Sequence, residues 1–160
     1  MSARSGIGYD SHRFAEGRPL ILGGVEIKEA ERGLTGHSDA DVLTHAVIDA
    51  LLGAASLGDI GQHFPDTDER YRDANSRELL DEARGLVWER GLAVSNVDAT
   101  VICEAPKLGP YRDDMREALA IPLGVEAARV SVKFTTNEGM GPVGRGEGIA
   151  AMAVVLLERR

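Results

Sequence analysis

The stretch that decides the fold is GHSDADVLTHAVIDALLGAASLGDIG, Gly36 to Gly61. Val42, Leu43, Ala46, Val47, Ala50, Leu51 and Ala54 recur at helical spacing and predict a helix from about Ala40 to Leu57. Ser38 with Asp41 three residues on fits a capping box, which sets His37 and Ser38 at the helix N-terminus. Unpaired backbone N–H groups and the positive end of the helix dipole suit a phosphate there. Asp41, His45 and Asp49 fall at i, i+4 and i+8, a polar stripe on a helix that otherwise wants to be buried. Ionisable groups on such a face need partners or a metal ion.

A second pair of the same chemistry lies upstream, in GYDSHRF, where Asp10 and His12 are two residues apart on one face of a strand. A histidine on an apolar helix face is ordinarily a core residue, and an Asp/His pair at a strand end is ordinarily solvated. Together, Asp10, His12 and His45 supply the nitrogen and oxygen donors of a zinc site that keeps its fourth position for water or substrate.

Outward from these stretches, Gly6 to Phe14 reads as the first strand and Leu20 to Ile27 as a hairpin turning at Gly23-Gly24. Gly58 to Asp68 reads as a loop whose Asp59, Asp66 and Asp68 accept hydrogen bonds from ligand hydroxyls. A helix from Asn75 or Ser76 to about Arg90, closed by Gly91, reads as structural. Val94 to Glu104 alternates as a half-buried strand with Val97, Ala99, Val101 and Cys103 inward. A helix from Tyr111 to Ala120 and a strand from Arg129 to Thr135 follow, then a glycine-rich turn to Gly148 holding Glu138, Arg145 and Glu147. The last strand, Ile149 to Leu157, is apolar throughout, which predicts burial on both faces. With no repeat or linker, residues 1–160 read as a single domain.

Composition narrows the function. A formal charge of −8 over 160 residues, with three Phe, three Tyr and one Trp, argues against a nucleic-acid groove. The one cysteine, Cys103, excludes an intrachain disulfide and fits a reducing compartment. The longest apolar run falls well short of the roughly 20 residues that span a bilayer, and the N-terminus carries no signal pattern. The reading is a protein without membrane contact, in the cytoplasm or a plastid stroma.

GYDSHRF, LTGHSDADVLTHAVIDALLGAASLGDIGQHFPDTD, the APK after the long strand, KFTTNEG and GRGEGIAA together resemble the 2-C-methyl-D-erythritol 2,4-cyclodiphosphate synthase family over essentially the whole chain. The resemblance implies an α+β subunit: a mixed β-sheet with helices packed on one face, in a homotrimer whose sheets face the three-fold axis. Active sites then lie between subunits. The implied reaction converts 4-diphosphocytidyl-2-C-methyl-D-erythritol 2-phosphate to the cyclic diphosphate with release of CMP, in non-mevalonate isoprenoid biosynthesis.

By the same resemblance Asp10, His12 and His45 are the zinc ligands, leaving Asp49 to orient one of them. His37 and Thr136 stabilise the transition state. Asp10, Ser11 and His12 contact the substrate, His37 and Ser38 meet phosphate, and Asp59, Ile60, Gly61, Phe64, Pro65, Asp66, Thr67 and Asp68 hold the methylerythritol. Cys103, Glu104, Ala105, Pro106, Lys107, Leu108 and Gly109, with Thr135, Thr136, Asn137 and Glu138, surround the cytidine diphosphate of a neighbouring subunit. Glu138 is the ligand of a second ion, Mg2+ or Mn2+. Pro142 and Arg145 are further substrate contacts, and Arg145 with Glu147 lines an axis that can hold an isoprenoid diphosphate. Phe134 stands where the pattern has a small residue, and Pro142 where it has a bulkier one. The residues alone also fit a zinc hydrolase acting on a phosphoester, or a trimeric binding module for isoprenoid diphosphates with a structural zinc.

Overall fold

In the computed structural model, which describes residues 2–160, strand β1 (Arg4–Ala15) runs antiparallel to β7 (Gly148–Arg159), from Arg4 opposite Leu157 to Arg13 opposite Gly148. β7 also pairs antiparallel with β5 (Leu92–Ile102), and β5 pairs parallel with β6 (Val130–Thr135). With β4 (Gly33–Leu34) against β1, the sheet order is β4-β1-β7-β5-β6, a mixed sheet. The strands β2 (Ile21–Leu22) and β3 (Val25–Glu26) form the expected separate hairpin, and Gly23 and Gly24 both take the positive φ of its turn.

Helices α1 (Val42–Ala54), α3 (Ser76–Glu89) and α4 (Arg112–Leu123) pack on one side of the sheet. On α1, Leu43, Ile48, Leu51 and Leu52 are fully buried, each worth about 1.5–3 kcal/mol of transfer free energy. The close fit of α1 to β1 rests on two glycines. A Cβ at Gly8 would stand 1.9 Å from the carbonyl oxygen of Ala46, and one at Gly6 would stand 2.1 Å from that of Ala50.

Four expectations need correction. The first helix starts at Val42 rather than Ala40 and ends at Ala54 rather than Leu57, because Ala40 and Ser56 both take a left-handed φ. Its cap is Asp41, with no Ser38–Asp41 box: the Asp41 carboxylate accepts from Thr44 N (3.0 Å) and Thr44 Oγ1 (2.7 Å). The segment Gly58–Asp68 is not simply a loop. It contains α2 (Ile60–His63), closed at its N-terminus by a reciprocal Asp59–Gln62 capping box. Lastly, within one chain β7 is buried along its helix side, but on its other face only near its start, at Ala150. Met152 and Val154 on its other face are 43% and 47% exposed, beside Ile7 at 66% and Tyr9 at 57% on β1.

Candidate metal centre

Alternation along β1 turns Gly6, Gly8, Asp10 and His12 toward the helices, while Ile7 and Tyr9 face the open side. The glycines let α1 lie close, and one turn before Ala50 the same helix face carries Ala46 and His45. Asp10, His12 and His45 meet there, each partly buried, and offer one ligand atom apiece within 4.8 Å of one another. Asp10 Oδ2 lies 2.8 Å from His12 Nε2 and 3.2 Å from His45 Nδ1, and the two nitrogens are 3.3 Å apart.

These separations suit a small tetrahedral cation. Ligand bonds of 2.0–2.1 Å place neighbouring donors about 3.3 Å apart at the corners of a tetrahedron. The proton inventory agrees. His12 Nδ1 lies 2.7 Å from the carbonyl oxygen of Thr35, which can only accept, so the proton sits on Nδ1 and the lone pair of Nε2 faces the site. A carboxylate and an imidazole lone pair aimed at the same point want either a proton or a cation between them.

The electrostatics show the same demand. Burial works against a charged Asp10, yet hydrogen bonds and charge from His12 and His45 prevail and hold its carboxyl down at about 2. Burial likewise disfavours a charged His12, but the hydrogen bond and charge of Asp10 raise its pKa above the ordinary imidazole value.

The triad opens into a cavity of about 380 Å³ that His37, Ser38, Ile60, Gly61, Phe64, Pro65 and Asp66 also line. Of the predicted methylerythritol residues, Asp59 and Asp68 are committed elsewhere. Asp59 caps α2, and the Asp68 carboxylate binds Arg70 at 2.8 Å while its carbonyl oxygen accepts from His37 Nε2 at 2.9 Å. Thr67 does not line the cavity either. Ser11, Asn137 and Pro142 line a second cavity of about 300 Å³, which also touches His12.

A third cavity, about 230 Å³, collects Cys103, Glu104, Pro106, Lys107, Leu108, Gly109, Phe134, Thr135 and Thr136 at the far edge of the sheet. It shares no lining residue with the triad cavity. β1 and β6 stand three strand spacings apart in the sheet order, about 14 Å at the usual separation. His37 and Thr136 are therefore on different cavities within one chain. Burial pushes the Cys103 thiol up to about 11, which makes it a wall of the cavity rather than a nucleophile. Glu138, exposed and with a left-handed φ of 53°, lines none of the three cavities. Arg145 pairs with Glu147 at 2.8 Å.

Two members of the predicted stripe do not serve the triad. Asp41 is fully buried and turned away, accepting from Gly23 N (2.9 Å) and Gly24 N (2.7 Å) as well as from Thr44. Its carboxylate thus fills the helix N-terminus that the sequence offered to a phosphate. Asp49 accepts from Ile60 N at 2.8 Å and so anchors α2, holding no metal ligand. His45 Nε2 instead meets Ser76 Oγ at 2.8 Å and Ser38 Oγ at 3.2 Å. Sequence reasoning missed Ser76, reading its helix as structural. Asn75 caps α3 by accepting from Arg77 N, so the fully buried Ser76 hydroxyl is not needed as a cap, a choice that spacing alone does not reveal. It also missed Tyr71 and Leu79, which wall the triad cavity, and Arg112, whose guanidinium lies 5.2 Å from the Phe134 ring.

The family model that matches this chain is the YgbB family, over residues 3–158. A 2-C-methyl-D-erythritol 2,4-cyclodiphosphate synthase of Rubrobacter xylanophilus is 64% identical, covering 98% of this chain and 95% of its own. One of Thermosynechococcus vestitus is 57% identical, covering 99% and 98%. Among solved structures, the IspF–CDP complex of Plasmodium falciparum superposes with a TM-score of 0.86 at 33% identity, over 99% of this chain and 97% of that one. The bifunctional IspDF of Campylobacter jejuni gives a TM-score of 0.95 at 44% identity. The match covers 99% of this chain, which spans 43% of that longer one.

Proposed function

The chain belongs to the family of 2-C-methyl-D-erythritol 2,4-cyclodiphosphate synthases, and from that membership we propose how its residues divide the reaction. The substrate, 4-diphosphocytidyl-2-C-methyl-D-erythritol 2-phosphate, closes on itself. An oxygen of the 2-phosphate attacks the β-phosphorus, the bond from that phosphorus to CMP breaks, and the cyclic diphosphate forms. No general base is needed, because the attacking phosphate is already ionised. Positioning and charge neutralisation carry the rate.

The observation that carries this reading is the convergence of Asp10, His12 and His45 in a cavity shared with Ile60, Gly61 and Phe64–Asp66. In this reading zinc, held by the triad, supplies Lewis-acid charge at a phosphate oxygen when bound. His37 and Ser38 hold the phosphate end, and Ile60, Gly61, Phe64, Pro65 and Asp66 enclose the methylerythritol. Cys103 to Gly109 with Thr135 and Thr136 take the cytidine diphosphate, Lys107 supplying positive charge. Glu138 would hold the second ion, Mg2+ or Mn2+, which would supply positive charge to the diphosphate.

Because the two halves lie on separate cavities of one chain, the substrate bridges neighbouring chains. A homotrimer with Ile7, Tyr9, Met152 and Val154 turned to the axis supports this arrangement, since it covers the open sheet face. Arg145 and Glu147 then stand at the axial end, where an isoprenoid diphosphate is accommodated. Residues 1–160 act as one domain, in the cytoplasm or a plastid stroma.

Incubation with the cytidylated substrate, with and without a chelator, tests the reading. We expect CMP and the cyclic diphosphate, both lost on chelation. A linear product formed with water would favour a phosphoester hydrolase, and binding without CMP release would leave only a binding module.

A further inference from the structure

The metal-facing atom of His45 is Nδ1, and a chain of buried polar groups behind the ring decides whether that atom carries a lone pair or a proton. His45 Nε2 lies 2.8 Å from Ser76 Oγ, and Ser76 Oγ lies 2.5 Å from Asp39 Oδ1. Asp39 Oδ2 accepts from the backbone N–H of Ser76 at 2.9 Å, and Asp39 Oδ1 also accepts from Asp41 N at 3.1 Å. A carboxylate surrounded by donors has no proton to give, so the Ser76 hydroxyl proton points to Asp39, at the short distance typical of an O–H to a charged oxygen. The hydroxyl then has only a lone pair to offer His45. Nε2 must carry the proton, and Nδ1 is left with the lone pair a cation requires.

Ser38 does not change this. Its Oγ stands 3.2 Å from Nε2 and accepts from Ala40 N at 3.3 Å, so one Nε2–H serves both serine oxygens. A donating Ser38 would leave two acceptors facing each other at the shorter Ser76 contact.

We infer that Asp39 and Ser76 form a positioning relay that fixes the tautomer and ring orientation of His45 and so tunes metal affinity. Partners behind a metal-bound histidine act in this way generally, and their loss weakens metal binding by about 10- to 100-fold. The inference rests on the triad being a metal site, but the two fail differently. Zinc affinity unchanged in His45→Ala would sink the site itself, whatever Ser76 does.

The simpler role for the pair is to tether the start of α3 to the strap before α1, since Asp39 N also donates to the Ala74 carbonyl at 3.1 Å. The test separates the roles by reading the ring directly. The probes are Zn2+ titrated against a chromophoric chelator and the 15N shifts of His45 in metal-free protein, for wild type, Ser76→Ala, Ser76→Thr and Asp39→Asn. Wild type is expected to show Nε2–H. Ser76→Ala should lose about 10- to 100-fold in zinc affinity and show mixed tautomers, and Ser76→Thr, which keeps the hydroxyl, should restore both. Asp39→Asn keeps the volume and can donate its amide to Ser76, which frees the hydroxyl proton for Nε2 and shifts the ring toward Nδ1–H with a matching loss of affinity. Zinc affinity within twofold of wild type, and a pure Nε2–H ring in both Ser76→Ala and Asp39→Asn, would overturn the relay even if both variants melt earlier.

Discussion

At the scale of single residues, the triad makes opposite demands on protons and metal. The depressed carboxyl of Asp10, near 2, contributes stability that is in place above the ordinary value of 3.8 and is lost as pH falls through about 2. His12 has the opposite sign. Its pKa is raised above 6.5, so in metal-free protein its contribution is complete below 6.5 and is lost as pH climbs through the folded value. A cation needs the His12 lone pair, so zinc must displace that proton. We expect zinc binding at pH 6.5 to release protons, seen as a dependence of titration heat on buffer ionisation enthalpy, and the release to shrink as pH rises. Heats that do not vary with buffer at pH 6.5 would contradict this. Replacing His45 with Ala should cost at least about a hundredfold in CMP release while leaving the fold in place, given what a Lewis-acid ion contributes. Turnover within about tenfold of wild type would argue against a catalytic metal.

At the scale of elements, the site is a by-product of how closely α1 lies on β1. Gly8→Ala would drive a methyl into the Ala46 carbonyl, which packed backbone cannot yield to, and should cost about 3 kcal/mol or more by urea unfolding, with weaker zinc binding. Asp41 is the other fixture. Its two oxygens accept from Gly23, Gly24 and both donors of Thr44, so they tie the hairpin turn to the first turn of α1. Asp41→Asn turns one acceptor into a donor facing another N–H, an uncompensated buried clash of about 2–4 kcal/mol. That loss should appear in zinc-free protein as fully as in zinc-loaded protein, because the Asp41 carboxylate touches none of the three ligand side chains. A stability loss confined to the loaded form would place Asp41 in the metal site after all.

At the scale of the whole molecule, an apolar strip stays uncovered on the sheet and the cavities fit for substrate lie apart. Both observations are what the proposed homotrimer accounts for, since it would cover the strip and bring the third cavity of one chain to the triad of the next. A charge on the strip, as in Val154→Glu, should convert the assembly to monomers in sedimentation velocity and abolish CMP release, with zinc affinity kept because the triad belongs to one chain. A monomer of undiminished activity would show that one chain holds the whole site.

Much of this was legible before any coordinates. Helical and alternating periodicities gave the long strands and helices to within a few residues, because they record which faces are buried, whereas the short α2 and β4 left no such pattern. The motifs around Asp10, His12 and His45 marked the donors, because ligand chemistry restricts residue type. Helix ends were misjudged where Ala40 and Ser56 adopt left-handed backbone, a choice that spacing does not record. Asp41 and Asp49 looked like members of the site because i, i+4 spacing says which residues share a face but not what lies opposite. Only the packed structure put a hairpin turn opposite Asp41, α2 opposite Asp49 and Ser76 behind His45. Local periodicity is written in neighbouring residues, whereas a partner 31 positions away is chosen by how helices settle on a sheet.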